Sequence, residues 1–168
     1  MGWFASGVCA FVTFFAGVVW WQRVRLCLEP VGEEGDMLKV MESRALSLLR
    51  IVAGFTFSLH GLQKLFGWFG GMGGQGGTAP IGSLLWTAGV LEAFGGALVV
   101  LGLFTRPVAL VVCGEMAVAY FRMHRPSSLW PILNGGELAV LYCFIFLYLA
   151  IAGAGPVSLD RLIRKKSV

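Results

Sequence analysis

Residues 81–104 read IGSLLWTAGVLEAFGGALVVLGLF, and Glu92 is the one charged side chain among them. Coiled at 1.5 Å per residue, such a stretch rises about 36 Å, enough to cross a hydrocarbon core of roughly 30 Å. Glu92 falls near the middle, with Gly89 three residues before it and Gly95 and Gly96 three and four after. Its face is therefore lined with glycine, the pattern of a tight helix–helix contact in lipid. A carboxylate at that depth costs about 2.5–3.5 kcal/mol on insertion scales, so it needs a partner or a purpose. Backbone groups in a bilayer must be satisfied within their own element, which makes this stretch a helix rather than a strand.

The rest of the chain repeats the pattern. Further apolar segments run from Gly2 to Trp21, Ala45 to Phe66, Pro107 to Phe121 and Ile132 to Gly153. The fourth of the five, at Pro107, reaches spanning length only by including Arg122 and its neighbours. Hydrophobic residues make up 57% of the 168 and charged residues 13%, about half the charged share of a soluble domain. Mean hydropathy is +0.79. A soluble chain of this size cannot hide so much apolar surface. Composition thus excludes a disordered chain, a nucleic-acid-binding domain and an ordinary soluble enzyme.

The fold expected is all-α: a transmembrane four-helix bundle over residues 37–160, followed by a basic cytoplasmic tail at 161–168. Residues 1–36 are either a fifth transmembrane helix or the product of an upstream start codon, because Met37 and Met41 follow the acidic linker Glu29 to Asp36. Thr105-Arg106-Pro107 reads as a tight turn with proline in the first turn of the next helix. Gly67 to Gly82 reads as a flexible loop with Trp68 and Phe69 at the membrane interface. Its match to G-x-G-x-x-G (Gly71 to Gly76) lacks the βαβ context of a dinucleotide site. Lys39, Arg44, Arg106, Arg161, Arg164, Lys165 and Lys166 fall on one side, and Lys64, Arg122 and Arg125 on the other. That bias places the C-terminus in the cytoplasm and the protein in the plasma (inner) membrane.

Every core helix carries an ionisable group: Arg50, His60 and Lys64 in the Ala45 segment, then Glu92, Glu115 and Glu137 in turn. His60 and Lys64 share a face at i,i+4, with Gly61 between them to admit a neighbouring helix. Asn134 and Glu137 share a face at i,i+3. Two readings stand side by side. The bland one is structural ion pairing, Lys64 with Glu137 and Arg50 or Arg106 with Glu92. The sharper one is a polar cluster of Arg50, His60, Lys64, Glu92, Arg106, Glu115, Asn134 and Glu137 around a cavity for a headgroup, a quinone or a proton. His124, between Arg122 and Arg125, reads as an interfacial residue facing lipid phosphates. Cys9, Cys27, Cys113 and Cys143 are far apart and form no C-x-x-C or zinc spacing, and Cys113 and Cys143, in apolar runs, read as small hydrophobes. No metal site is expected, and no nucleophile has a base and an orienting group beside it.

Four motifs then line up in order. Leu49-Arg50 with Leu59-His60-Gly61-Leu62-Gln63-Lys64-Leu65-Phe66-Gly67 resembles the opening of the DoxX family of small bacterial membrane proteins. Leu91-Glu92-Ala93-Phe94-Gly95-Gly96 with Leu101-Gly102-Leu103-Phe104-Thr105-Arg106 is similar to its second-helix signature. Asn134-Gly135-Gly136-Glu137 and Gly153-Ala154-Gly155-Pro156-Val157-Ser158-Leu159-Asp160 are similar to its last helix and ending. The resemblance covers Arg44 to Asp160 and implies a four-helix membrane bundle with hallmark positions at Arg50, His60, Lys64, Glu92, Arg106 and Glu137. The family takes its name from a membrane subunit of a quinone-linked oxidoreductase. It thus implies a small subunit or adaptor of a membrane oxidoreductase assembly, with an oxidoreductase partner and quinone near His60, Glu92 and Glu115. The alternatives are a lipid- or small-molecule-binding protein or transporter using the same polar centre, and a structural partner protein with no ligand.

Overall fold

The computed structural model describes residues 33–72 and 74–166. The Gly2–Trp21 segment and the last two residues lie outside the described part, and with them the question of a fifth helix. The chain divides into two compact units, residues 1–39 and 40–168. Of the first, residues 33–39 are described and are helical, so the acidic linker has become helix by Glu33. The elements are α1 (Glu33–Phe66), α2 (Leu84–Leu101), α3 (Thr105–Ala119), the four-residue α4 (Pro131–Asn134), α5 (Glu137–Ala152) and α6 (Leu159–Lys166). Among the described residues there is no strand, only one antiparallel bridge, between Met72 and Gly77.

α1 from Gly35 onward and α2 are long and apolar enough to cross a membrane, and α5 is apolar over 16 residues. α3 runs for 15 residues and continues as a five-residue π-helical turn, Tyr120–His124. The short fourth apolar segment is thus lengthened through Arg122, as its sequence requires.

Each helix hides one stripe at helical spacing and leaves its other faces apolar. In α1 the buried residues are Ser47, Arg50, Ala53, Gly54, Phe57 and Gly61; in α2 they are Gly89, Glu92, Gly95, Gly96 and Val99. α5 buries Ala139, Tyr142, Phe146 and Leu149, and the shared core adds Ala109, Val112 and Met116 of α3. Large apolar side chains point outward instead, with Phe55 55%, Phe94 67%, Leu110 60% and Ile151 70% exposed. A soluble monomer rarely leaves a contiguous apolar patch of more than a few hundred Å2, so these outer faces suit lipid.

Two glycine pairs set the distance between α1 and α2. A Cβ on Gly54 would stand 2.9 Å from the Gly96 carbonyl oxygen, and one on Gly61 would stand 2.6 Å from that of Gly89. Nothing larger than glycine fits, because the clashing atoms are backbone. Gly95 faces α3, where its Cβ position lies 2.8 Å from a side-chain methyl of Val112. The glycine face of Glu92 is therefore used inside the fold.

The loop from Gly67 to Gly82 is not the flexible tether its glycines suggest. Met72 N–H donates to the Gly77 carbonyl (2.8 Å), Gly76 N–H to that of Gly70 (2.8 Å) and Ala79 N–H to that of Lys64 (2.8 Å). Gln63 Nε2 donates to the Gly71 carbonyl at 3.1 Å, so the loop folds back onto the end of α1. Ser83 caps α2 by accepting from Trp86 N–H at 3.1 Å.

Candidate functional site

At the Gly61 end of the glycine seam, α2 brings Glu92 opposite the last turn of α1. The Lys64 ammonium sits between both Glu92 carboxylate oxygens, with the lysine side chain 23% exposed and that of Glu92 3%. Beside this pair is a cavity of about 200 Å3. It is lined by Phe57, His60 and Lys64 of α1, Glu92 of α2, Met116 of α3, His124 of the π turn, and Leu138, Ala139 and Tyr142 of α5. The chain has two histidines, and both line this cavity.

The surrounding bonds fix the lining. Tyr142 Oη donates to Thr56 Oγ1 at 2.8 Å, and its ring meets His60 edge-on at a centroid distance of 6.1 Å. Phe57 and Phe146 pack against the same tyrosine, at 5.2 and 5.7 Å. His124 Nδ1 is 3.1 Å from the Asn134 carbonyl oxygen, and its ring stacks on Tyr120. That bond to a carbonyl makes Nδ1 the donor in either protonation state. The π turn turns the histidine ring toward the bundle, a use such turns often have at functional sites. Glu115 is nearby on α3. Both of its carboxylate oxygens are buried without a hydrogen-bond partner among the described residues, and the charges of Glu92 and Lys64 act on it.

The DoxX family profile matches residues 45–125. A Haemophilus influenzae protein without an assigned function is 44% identical over 125 residues, which is 72% of this chain and 92% of that one. The chain belongs to the DoxX family. A more distant relative is CatD of Bacillus subtilis, a candidate oxidoreductase by its name, 27% identical over 118 residues (70% of this chain and 86% of CatD). No solved structure matches. DoxX proteins are membrane proteins, in keeping with the apolar outer faces of this chain.

In this DoxX protein most of the polar residues singled out in the sequence divide into two groups, one level with the middle of α1 and one at its C-terminal end. His60, Lys64 and Glu92 meet at the cavity, with Glu115 close by. Arg50 does not reach Glu92. It is 1% exposed and donates through Nε to the Ala154 carbonyl (2.9 Å), through Nη1 to those of Val99 and Val100, and through Nη2 to that of Val157. Val99 and Val100 belong to the last turn of α2, where carbonyls run out of helical donors and favour a cation; the Val99 carbonyl also accepts from the capping Gly102 N–H at 3.0 Å. Arg50 therefore ties the end of α2 to the segment after α5. Arg106 is exposed, also away from Glu92, and lines an open depression of about 740 Å3 with Arg161. The one carboxylate there, Asp160, accepts from Phe104 N–H (2.8 Å) and Thr105 N–H (3.0 Å) and so caps α3. Both spaces are open to the outside, but the smaller one gathers both histidines, the Lys64–Glu92 pair and Tyr142.

Two further expectations fail. Lys64 pairs with Glu92 and not with Glu137, which is exposed at the start of α5. Asn134 and Glu137 do not share a helical face, because Gly135, at φ +67°, ends α4 and the chain restarts at Glu137. Asn134 instead binds its own turn, donating to the Ser128 carbonyl and accepting from Gly136 N–H, both at 2.7 Å. Sequence reasoning missed Tyr142 and placed His124 at the interface. A tyrosine inside the apolar run of α5 was the available signal, since a buried phenol needs a hydrogen-bond partner.

Proposed function

We propose that this DoxX protein is a four-helix bundle in the plasma membrane, formed by α1, α2, α3 with its π turn, and α5, with the C-terminus in the cytoplasm. It acts as the small membrane subunit of an oxidoreductase assembly, and its cavity receives the polar head of a lipid-soluble carrier of the quinone class. The observation that carries this reading is the convergence of both histidines, the Lys64–Glu92 pair and Tyr142 on one cavity between otherwise apolar helices. Imidazole and ammonium groups donate to a quinone carbonyl, and Phe57 and Tyr142 offer ring faces to its ring. The cavity is smaller than the roughly 300–1,000 Å3 of pockets that enclose drug-sized ligands, so it fits one ring or headgroup while an apolar tail lies among lipids. The name of the Bacillus relative adds support for redox work.

The test is affinity purification in mild detergent, with mass spectrometry of the co-purifying proteins and of the organic extract. A stoichiometric redox enzyme together with quinone is the expected result, and His60→Leu should lose the quinone while the protein still purifies as a folded species. A chain that purifies alone with one specific lipid or metabolite overturns the subunit reading and makes the protein a binder or transporter.

A further inference from the structure

The sequence separates Cys113 and Cys143 by 30 positions, and the fold brings them together. Their sulfurs are 3.7 Å apart across the interface between α3 and α5, with both residues half-buried against the core. A buried cysteine ordinarily fills space as a small hydrophobe. Here each sulfur meets the other sulfur instead. An S–S bond of about 2.05 Å requires a further approach of about 1.7 Å, which side-chain rotation and small helix adjustments would supply. Cys113 lies one helical turn from Met116, and Cys143 directly follows Tyr142. Both Met116 and Tyr142 line the cavity, so the thiols are close to its wall.

We infer that Cys113 and Cys143 are a redox-active dithiol that closes reversibly to an intramolecular disulfide, delivering two electrons and two protons to a two-electron oxidant that enters the bilayer. The site stands on the sulfur geometry alone and does not require a ligand in the cavity. With a diazene oxidant such as diamide the step balances as follows. One thiol adds across the N=N bond, forming S–N and N–H. The second sulfur then attacks the first, the S–N bond breaks, and the hydrazine leaves carrying both thiol protons. Dithiothreitol reverses the reaction by becoming the cyclic disulfide itself.

The experiment uses the full chain in native membranes with Cys9→Ser and Cys27→Ser, so that the pair supplies the only thiols. After treatment the protein is denatured in SDS, alkylated with N-ethylmaleimide and weighed intact. Two adducts per chain are expected from untreated membranes, none after diamide, and two again after dithiothreitol. The oxidised chain should run as a monomer on a non-reducing gel, with peptide mapping placing the bond between residues 113 and 143. Adding Cys113→Ser should leave one adduct that diamide does not remove, which separates pairing from over-oxidation of single thiols. Peptide mapping of the diamide-treated wild-type chain gives the same answer without any substitution. Two adducts retained after diamide, or disulfide-linked dimers in place of the internal bond, overturn the inference.

Discussion

Arg50 directs its charge at carbonyl oxygens. A guanidinium offers five donors in a fixed plane, and here they reach Val99 and Val100 in one part of the chain and Ala154 and Val157 in another. Arg50→Lys keeps the charge but offers three donors from a single atom, leaving buried carbonyls unsatisfied. It should lower stability by about 1–3 kcal/mol, seen as a fall in the thermal midpoint in detergent; an unchanged midpoint would show that the fork is dispensable. The Lys64–Glu92 pair makes a different prediction. Glu92→Gln leaves the ammonium without its counter-charge and should cost about 3 kcal/mol, whereas Lys64→Met with Glu92→Leu should restore most of that loss. If the pair serves a ligand, the double variant folds and retains none. If it is only a structural brace, both variants track stability alone. The sequence marked these side chains as exceptional by depth, and that much was legible. Which charge meets which depends on the register of antiparallel helices, and a linear reading of Arg50, Lys64 and Glu92 contains no register.

At the level of elements, the glycine seam was the clearest signal and the breaks were the least clear. Gly61, Gly89 and Gly96 announced a close helix contact, and the α1–α2 crossing uses all three. Gly61→Ala should destabilise by about 2 kcal/mol, since its methyl group meets backbone that cannot move aside. Gly114, in the middle of α3, has nothing within 4 Å of a Cβ, and Gly114→Ala should stabilise by about 0.5–1 kcal/mol through helix propensity alone. Unfolding curves for the two variants therefore should move in opposite directions; parallel shifts would mean the seam is looser than described. The apolar runs located the helices well, with α1 and α2 ending near the positions the sequence suggests. The π turn at Tyr120–His124 was not legible, because its sequence differs little from a continuing α-helix. Its effect is to aim His124 inward, which is why a residue flanked by Arg122 and Arg125 reads as interfacial and yet lines the cavity. Gly135 was visible in the sequence, but a glycine in an apolar stretch does not reveal whether it adopts a positive φ.

For the molecule as a whole, composition decided the class. The structure returns the same answer from geometry, since the outward faces are apolar and the ionisable groups inside are few. The proposed orientation has a direct consequence. A reporter fused after Val168 should be active as a cytoplasmic fluorescent protein and inactive as a phosphatase that requires an external compartment. The reverse pattern would invert the topology and move the histidine cavity to the cytoplasmic side. The two ends of the molecule also differ in how they are held. The Arg50 end is held by the side chains of Arg50 and Asp160 bonding to the backbone of residues 99–100, 104–105, 154 and 157, while the other end holds the cavity.

The reach of Arg50 along the chain sets an order of events during synthesis. Its acceptors at Ala154 and Val157 lie 104 and 107 residues downstream. A ribosome adding about 5–20 residues per second needs roughly 5–20 s to produce them. For about the first half of that interval the guanidinium lacks all four acceptors, and after Val99 and Val100 are made, 49 and 50 residues downstream, it still lacks two. The nascent helix must keep that charge near headgroups or within the insertion machinery until the last strap is translated. The native position of α1 is thus one of the final things the growing chain can establish.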